Sequence, residues 1–424
     1  MSVTKFCAAS AAVACSVLAS AQAQTPQAPL SRDSRPQIAI EPMTQVDPTT
    51  GAGYFSDPYP IRIAPQWANA SLPPSFSGTT KQILSCWHLL QKDCFQGRPF
   101  DVQGGSLAQH AQAEGTTLGA FKTSNIFRDG SGRWHMATTV QVKNPTVYPN
   151  LKHWNVIVHA HPDAFSYGVP QHWIADTLLV GSFSHPEKAD YDGKYVEDSG
   201  NLYLLYSRRL SENPAHDGIV AQPMRSETQS APVAPIVLLA PDVIDGGLTS
   251  EYFFPFKASD QFKLVETGNV TVIGGKYVMA YSTGAYDQPN YKTGLAWSDT
   301  FLPLSGSTYR KVYKQDLTGV WGQPNHREVL YLLQSQQQDW PNDVASEVLA
   351  PGVASIEQDR LLGWVLHFAA YDPGDAPVDR ATGNLDGSHR RPYFVRLQVS
   401  VPDRATVAGT SDRDLAGWIA AVRQ

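Results

Sequence analysis

The pattern of apolar and polar positions along most of this chain is that of short β-strands. From about residue 115 onwards, runs rich in Val, Ile, Tyr, Trp and Thr alternate with Asp-Gly, Gly-Gly and Ser-Gly turns. Two stretches have the 3.6-residue spacing of an amphipathic helix, Thr79 to Phe95 and Asp412 to Val422. Residues 24–60 contain seven prolines and no sustained period, so we expect an N-terminal arm there. The chain is therefore predicted to be mainly β.

A weak internal repeat organises these strands. Three segments share a strand, a glycine-bearing turn and a second, aromatic strand, which in the last two ends at Tyr-Ser; a fourth is looser. Their aromatic anchors are Trp134, Tyr203, Tyr277 and Trp364. A four-stranded sheet with its loops fills such a spacing, and radial packing of these sheets makes a propeller. One more period fits before Trp134, so we predict a five-bladed β-propeller over residues 61–424, with a β-sandwich as the alternative.

The first 23 residues have the pattern of a secretory signal peptide. An apolar run from Phe6 to Leu18 follows Lys5, and small residues from Ala19 to Ala23 suit a signal peptidase. The run is too short to span a bilayer as a permanent helix. We therefore expect a periplasmic or secreted protein without a membrane span.

Composition and cysteine usage narrow the function further. The chain has 33 Lys and Arg against 39 Asp and Glu, a net charge of −6, which argues against a nucleic-acid partner. Cys7 and Cys15 would leave with the signal peptide. The remaining pair, Cys86 and Cys94, favours one disulfide over a metal site or a nucleophile in an exported protein.

Two carboxylates occupy matching places in the repeat. Asp192 stands eleven residues before Tyr203, and Glu266 stands eleven residues before Tyr277. The innermost strands of a propeller line its central channel, so we expect the two carboxylates to face one pocket. Glycoside cleavage needs such a pair, with one protonated acid for the leaving oxygen and one ionised group.

Three stretches resemble motifs of the five-bladed propeller glycosidases, glycoside hydrolase family 43 and its fructan-cleaving relatives. Asp192 to Ser207 (DGKYVEDSGNLYLLYS) is similar to their third-blade motif, and Glu266 to Ser282 (ETGNVTVIGGKYVMAYS) is similar to their fourth-blade motif. Gly294 to Thr300 (GLAWSDT) resembles the strand that follows. The resemblance covers roughly residues 115 to 400. It implies that Glu266 is the general acid and that Asp192 tunes its pKa and orients the sugar.

The sequence also departs from that family. Gly193 replaces the proline that follows the first carboxylate, and Thr267-Gly268 replaces the small residue and proline that follow the acid. The third catalytic aspartate belongs on the first blade. We prefer Asp57, because Ser56-Asp-Pro-Tyr-Pro resembles the first-blade strand, while Asp47 and Asp101 are alternatives.

Other residues are candidates for substrate contacts. The aromatic faces of Trp87, Trp154 and Trp321 could stack on sugars, and His326 or His367 could enter the pocket from the last blade. Val353 stands where the related glycosidases place a histidine, so no cofactor is expected and a structural calcium is unsupported.

His159 and His161 share one face of a predicted strand. No third metal ligand is in view from the sequence, so we interpret them as strand histidines rather than a metal site.

The sequence thus predicts an exported glycoside hydrolase that acts on an oligosaccharide or polysaccharide with furanoside or xyloside bonds. One alternative is a retaining fructan enzyme of the levansucrase type, which Tyr-Val-Glu-Asp after Asp192 and Pro303-Leu304 also resemble. That family's nucleophilic Asp after a Trp is missing here. Another alternative is a non-catalytic propeller that only binds carbohydrate or a protein. It predicts that Asp192 and Glu266 do not share a pocket.

Overall fold

The computed structural model describes most of the chain from residue 40 onwards. The chain divides into a short unit, Met1–Gln37, and a main unit, Ile38–Gln424, to which all described residues belong. The described residues are 40–47, 49–64, 75–86, 94–186, 190–213, 215–242, 251, 262–312, 329, 331–335, 348–359, 363–380, 382–399 and 419–421. The predicted signal peptide, residues 24–39 and 48 of the predicted arm, Trp87, Trp321 and His326 lie outside them.

Almost all regular structure in the described residues is β. The elements are β1 (Glu41–Pro42), β2 (Tyr59–Pro60), β3 (Arg62–Ile63), β4 (Ser75–Ser77), β5 (Gln82–Cys86), β6 (Cys94–Pro99), β7 (Asp101–Gln103), α1 (Gly105–Ala113), β8 (Thr117–Arg128), β9 (Trp134–Lys143), β10 (Trp154–Pro162), β11 (His172–Val180), β12 (Tyr191–Asp198), β13 (Asn201–Glu212), β14 (Ala215–Ser226), β15 (Gln229–Ser230), β16 (Ile236–Leu239), β17 (Lys263–Leu264), β18 (Glu266–Ile273), β19 (Lys276–Thr283), β20 (Lys292–Ser298), β21 (Arg310–Lys311), β22 (Tyr331–Leu333), β23 (Leu349–Asp359), β24 (Gly363–Tyr371), a 3-10 turn (Gly387–His389), β25 (Arg391–Val399) and β26 (Ile419–Ala421).

These strands pair into five mainly antiparallel sheets that follow one another along the chain. The first has the order β2-β4-β5-β6 and the second β3-β8-β9-β10-β11-β7. The third is built on β12-β13-β14 and the fourth on β18-β19-β20, each with short edge strands. The fifth has the order β1-β25-β24-β23, with β26 on β25, so the first strand of the described chain completes the last sheet.

Apolar clusters join each sheet to the next. Phe127 and Ile157 of the second sheet pack with Leu204 of the third, and the third meets the fourth through a separate cluster. The fourth meets the fifth, and Phe76 of the first sheet packs with Phe394 of the fifth. Because strands with apolar residues on both faces must bury both, the sheets stack face to face. The result is a propeller-like arrangement, so the mainly β, propeller-like part of the prediction is confirmed.

Hydrogen bonds from the backbone to side-chain hydroxyls connect neighbouring sheets. Three residues near the start of innermost strands have a positive φ, and each donates its backbone N–H to a hydroxyl of the preceding sheet. The pairs are Asp192 (φ 60) to Thr139 at 2.9 Å, Thr267 (φ 54) to Ser207 at 3.3 Å, and Val353 (φ 54) to Ser282 at 2.8 Å. A positive φ is unfavourable for these residues, and the hydrogen bond helps to stabilise it. Two of the three contacts between neighbouring sheets are therefore made by the Tyr-Ser ends of repeats, at Ser207 and Ser282, and the third is made by Thr139.

The helix predicted over Thr79 to Phe95 is wrong. Residues 82–86 and 94–99 form β5 and β6, and Cys86 pairs with Cys94 across them in a disulfide with a Cα–Cα distance of 4.1 Å. Eight residues of α-helix would separate the two Cα atoms by about 12 Å, so the predicted helix and disulfide exclude each other. The predicted disulfide is confirmed.

Three smaller differences concern the ends of the chain and the edge of a sheet. Residues 419–421, within the second predicted helix, form a strand on β25. Strands β1 and β2 lie in the predicted arm but belong to the sheets. Helix α1 was not predicted. In the part of the chain that the structure describes, no helix is long and apolar enough to cross a membrane.

Candidate active site

Asp192 and Glu266 lie at the start of neighbouring innermost strands. Asp192 is the second residue of β12 and Glu266 the first of β18. The Tyr191 hydroxyl, one residue from Asp192, donates to Glu266 Oε2 at 2.7 Å. The charge of Asp192 contributes to raising the pKa of Glu266. The structure therefore brings the two carboxylates together, contrary to what a binding-only propeller would predict.

The predicted equivalence of these two carboxylates is wrong by one residue. Tyr191 pairs with Ser207 and Glu266 pairs with Ser282, so Glu266 occupies the place of Tyr191. Thr267 then corresponds to Asp192, and both have a positive φ. Aligning the Tyr-Ser ends instead of the aromatic anchors would have given this register from the sequence.

Two tyrosines hold the Glu266 carboxyl group. Besides Tyr191, the Tyr291 hydroxyl donates to Oε1 at 2.7 Å. Burial, followed by the charge of Asp192, raises the pKa of Glu266 to about 7, against the lowering effect of the two hydroxyl groups. Glu266 is thus a carboxyl group that is largely protonated below neutral pH and that is fixed at both oxygens.

Asp192 is 7% exposed. Burial raises its pKa to about 6, opposed by the nearby ammonium group of Lys194 and assisted by the charge of Asp57. Hydrogen bonds with Thr123 and Tyr59 also favour its charged form. Asp192 is therefore a second carboxyl group with a perturbed pKa beside the first.

Asp57 reaches the same site from the first sheet. It precedes β2, has a φ of 58° and accepts a hydrogen bond of 2.7 Å at Oδ1 from Arg390 Nη1. Arg390 is 1% exposed, and its guanidinium carbon lies 5.5 Å from the centre of the Tyr291 ring. Asp57 and Glu266 are thus joined through Arg390 and Tyr291.

The two alternative first-blade aspartates lie elsewhere. Asp47 is exposed and accepts hydrogen bonds from Thr49 and Thr50 within its own turn. Asp101 lies on β7 at the edge of the second sheet, where its exposed side chain pairs with His172. Asp57 is the one of the three whose charge acts on Asp192.

Lys194 is a buried cation that was not among the residues predicted from the sequence. It is 4% exposed, its Nζ donates to the Gly268 carbonyl at 3.1 Å and lies 4.8 Å from the centre of the Tyr59 ring. Burial lowers its pKa to about 8, although the charges of Asp192 and Glu266 act in the opposite direction. Its position two residues after Asp192, the spacing that puts two side chains on one face of a regular strand, is the one signal that could have found it.

A cavity of about 190 Å³ lies along the same innermost strands. It is lined by residues that follow the carboxylates in sequence, Lys194 to Glu197 after Asp192 and Gly268 to Val270 after Glu266, together with Arg62 and Asn125. The cavity therefore lies beside the two carboxylates in sequence and structure, although neither Asp192 nor Glu266 lines it.

Two predicted substrate contacts have packing roles in the structure. Trp154 is buried in the second sheet, and its indole N–H donates to the Ser182 carbonyl at 2.8 Å. His367 lies on β24 against the Phe76 ring, 1% exposed, and neither ring nitrogen has a hydrogen-bond partner within the described residues. Because both side chains are buried, neither presents an accessible ring face on which a sugar could stack.

The fold is that of the family 43 glycoside hydrolases. A thermostable family-43 glycoside hydrolase aligns with a TM-score of 0.52 at 15% identity, over 82% of this chain and 91% of that one. An exo-1,5-α-L-arabinanase from a bovine ruminal metagenomic library also gives 0.52 at 15% identity, over 90% and 99% of the two chains. Neither the protein-family models nor the curated proteins give a match to the sequence. At this identity the similarity defines the fold, and the chemistry has to be argued from the site.

Proposed function

We propose that this protein is an exported glycoside hydrolase that cleaves a furanoside or xyloside bond with inversion at the anomeric carbon. The observation that carries the proposal is the environment of Glu266. A carboxyl group with a pKa of about 7, held by two tyrosines beside Asp192, is suited to protonate a leaving sugar oxygen near neutral pH. The named activities of the structural neighbours, a glycoside hydrolase and an arabinanase, agree with this class.

In the proposed reaction Glu266 gives its proton to the glycosidic oxygen as the bond to the anomeric carbon breaks. Asp57 takes a proton from the water that attacks that carbon from the opposite side. After the reaction Asp57 holds a proton and Glu266 is ionised, and exchange with solvent restores both. Asp192 keeps the pKa of Glu266 high through its charge.

Arg390 and Tyr291 support the assignment of Asp57 as the base. The two residues connect Asp57 to Glu266 through contacts of 2.7, 5.5 and 2.7 Å in turn, and we propose that they hold the two carboxyl groups apart. Inverting enzymes keep their carboxyl groups about 6.5–9.5 Å apart to leave room for water. Arg390 holds Asp57 at Oδ1, and we assign the orientation of the water to Oδ2, which has no hydrogen-bond partner among the described residues.

The proposal includes five blades and export. The five sheets and the apolar clusters that link them support a closed five-bladed propeller. The disulfide between Cys86 and Cys94 supports folding in an oxidising compartment, as the N-terminal signal pattern predicts.

The test is release of reducing sugar from arabinan, xylan, arabinoxylan, levan and inulin. Wild type should act on at least one of them, and Glu266→Gln and Asp57→Asn should each lose at least about 100-fold in kcat. Asp47→Asn and Asp101→Asn are matched controls that should keep wild-type activity. Activity that survives in Glu266→Gln would show that the acid is assigned wrongly.

Proton NMR of the reaction mixture shows which anomer of the product forms first, and this distinguishes inversion from retention. Net retention on levan or inulin would favour a levansucrase-type enzyme over the proposed mechanism. Binding of a polysaccharide without hydrolysis by any variant would favour a non-catalytic propeller.

A further inference from the structure

A cluster of histidines and carboxylates lies in the second sheet, away from the carboxylates of the candidate active site. His135 is on β9, and His159 and His161 are on β10. Thr139, which bonds Asp192, is four residues after His135 on the same strand. At about 3.3 Å per residue, the cluster lies roughly 13 Å further along the sheet.

A β-bulge supplies the third ligand that the sequence did not show. On β11, Ala175 pairs with Ala160 and Thr177 pairs with His159, so Asp176 is the extra residue between them. Bulges often re-aim a side chain. Asp176 Oδ1 lies 2.7 Å from His159 Nδ1, and Oδ2 lies 2.6 Å from His161 Nδ1.

The donor set suits a divalent transition-metal ion. Two imidazole nitrogens and one carboxylate oxygen lie within 4.8 Å of one another. Zinc sites with three protein ligands commonly have this composition and keep a further position open. His159 is 2% exposed, whereas the His161 side chain is 45% exposed, so the open side of the site faces solvent.

The groups behind His159 fit the same interpretation. His159 Nε2 lies 3.0 Å from His135 Nδ1, and His135 Nε2 lies 3.3 Å from Asp129 Oδ2. With a metal ion on His159 Nδ1, the His159 Nε2–H would donate to His135 Nδ1, and the His135 Nε2–H would donate to Asp129. Each ring nitrogen of these two histidines then has a partner, as is usual for a histidine ligand that a neighbouring residue orients.

We propose that His159, His161 and Asp176 bind a divalent transition-metal ion of the zinc class, with His135 and Asp129 positioning His159. The site would join β10 to β11 on the solvent side of the second sheet. It is separate from the glycosidase proposal and does not depend on it.

The test is Zn²⁺ titration of the chelator-treated full chain by calorimetry, with Co²⁺ absorption as a second probe. Wild type should bind one ion with a Kd below about 10 µM and show the intense visible bands of low-coordinate Co²⁺. His161→Gln and Asp176→Asn should each weaken binding at least about 10-fold, and Asp129→Asn about 10-fold through the orientation of His159.

Two control variants distinguish this site from metal binding elsewhere on the protein. His172→Gln removes an exposed histidine that pairs with an aspartate on the same sheet, and it should bind like wild type. Glu266→Gln should also bind like wild type, whatever its activity. The proposal is overturned if wild type binds no stoichiometric ion, or if His161→Gln and Asp176→Asn, folded by their melting curves, bind as tightly as wild type.

Discussion

The partly buried carboxyl group of Glu266 should make the protein less stable at alkaline pH. Glutamine has the same shape and can still accept from one tyrosine hydroxyl and donate to the other, so Glu266→Gln removes the charge and keeps the packing. Because the folded state raises the pKa of Glu266, unfolding releases a proton at neutral pH. Stability should therefore fall as pH rises from the unfolded pKa to the folded one.

The size of the effect follows from the two pKa values. A shift from 4.5 to about 7, at 1.36 kcal/mol per unit, corresponds to roughly 3 kcal/mol of destabilisation at pH 8. At pH 4.5 the same linkage gives about 0.4 kcal/mol, since the group is largely protonated in the folded state and half protonated in the unfolded state. Glu266→Gln should thus stabilise the protein at pH 8 and have little effect at pH 4.5.

Thermal unfolding at the two pH values measures this difference. With an unfolding entropy of about 2.1 cal/mol/K per residue, roughly 390 residues give about 0.8 kcal/mol/K, so 3 kcal/mol raises the Tm by about 4 °C at pH 8. Glu212→Gln, which changes an exposed carboxylate, is the matched control and should shift the Tm by less than about 1 °C. An equal shift at both pH values would refute the reasoning, because it would show a packing effect rather than a charge effect.

Three further changes have defined outcomes. Tyr291→Phe removes a hydroxyl that stabilises the ionised form of Glu266, so the pKa should rise and the alkaline limb of the kcat/KM profile on the polysaccharide substrate should move up by about 1 pH unit; an unchanged limb would contradict this. Arg390→Met leaves Asp57 without its buried partner and should lower the free energy of unfolding, measured in urea, by about 3–5 kcal/mol. Arg391→Met breaks a partly exposed ion pair with Asp372 and should lower it by less than about 1 kcal/mol. Replacing both cysteines of the disulfide by alanine opens an eight-residue loop and should lower the free energy of unfolding by about 2.5 kcal/mol, and a loss near zero would contradict this loop-closure argument.

The sequence by itself determined the features that depend on local patterns. Alternation of apolar and polar residues predicted the strands, and the repeat of strand, turn and aromatic strand predicted the propeller-like order. The same repeat identified Asp192 and Glu266 near strand starts. The repeat misaligned Asp192 with Glu266 by one residue. The aromatic anchors Tyr203 and Tyr277 do not occupy equivalent positions in their strand pairs, whereas Ser207 and Ser282 do.

Only the tertiary structure decided which distant residues complete the sites. Arg390 is 333 residues from Asp57, and no local pattern links the two. Asp176 reaches His159 and His161 because of a bulge, which alternation along a strand does not reveal. The stretch around Cys86 and Cys94 had a helical period but forms strands, since pairing across a sheet overrides local spacing. Local periodicity in a sequence indicates which face of a strand or helix is buried. A functional site depends on which residues that face contacts, and the packing of the sheets against one another determines those contacts.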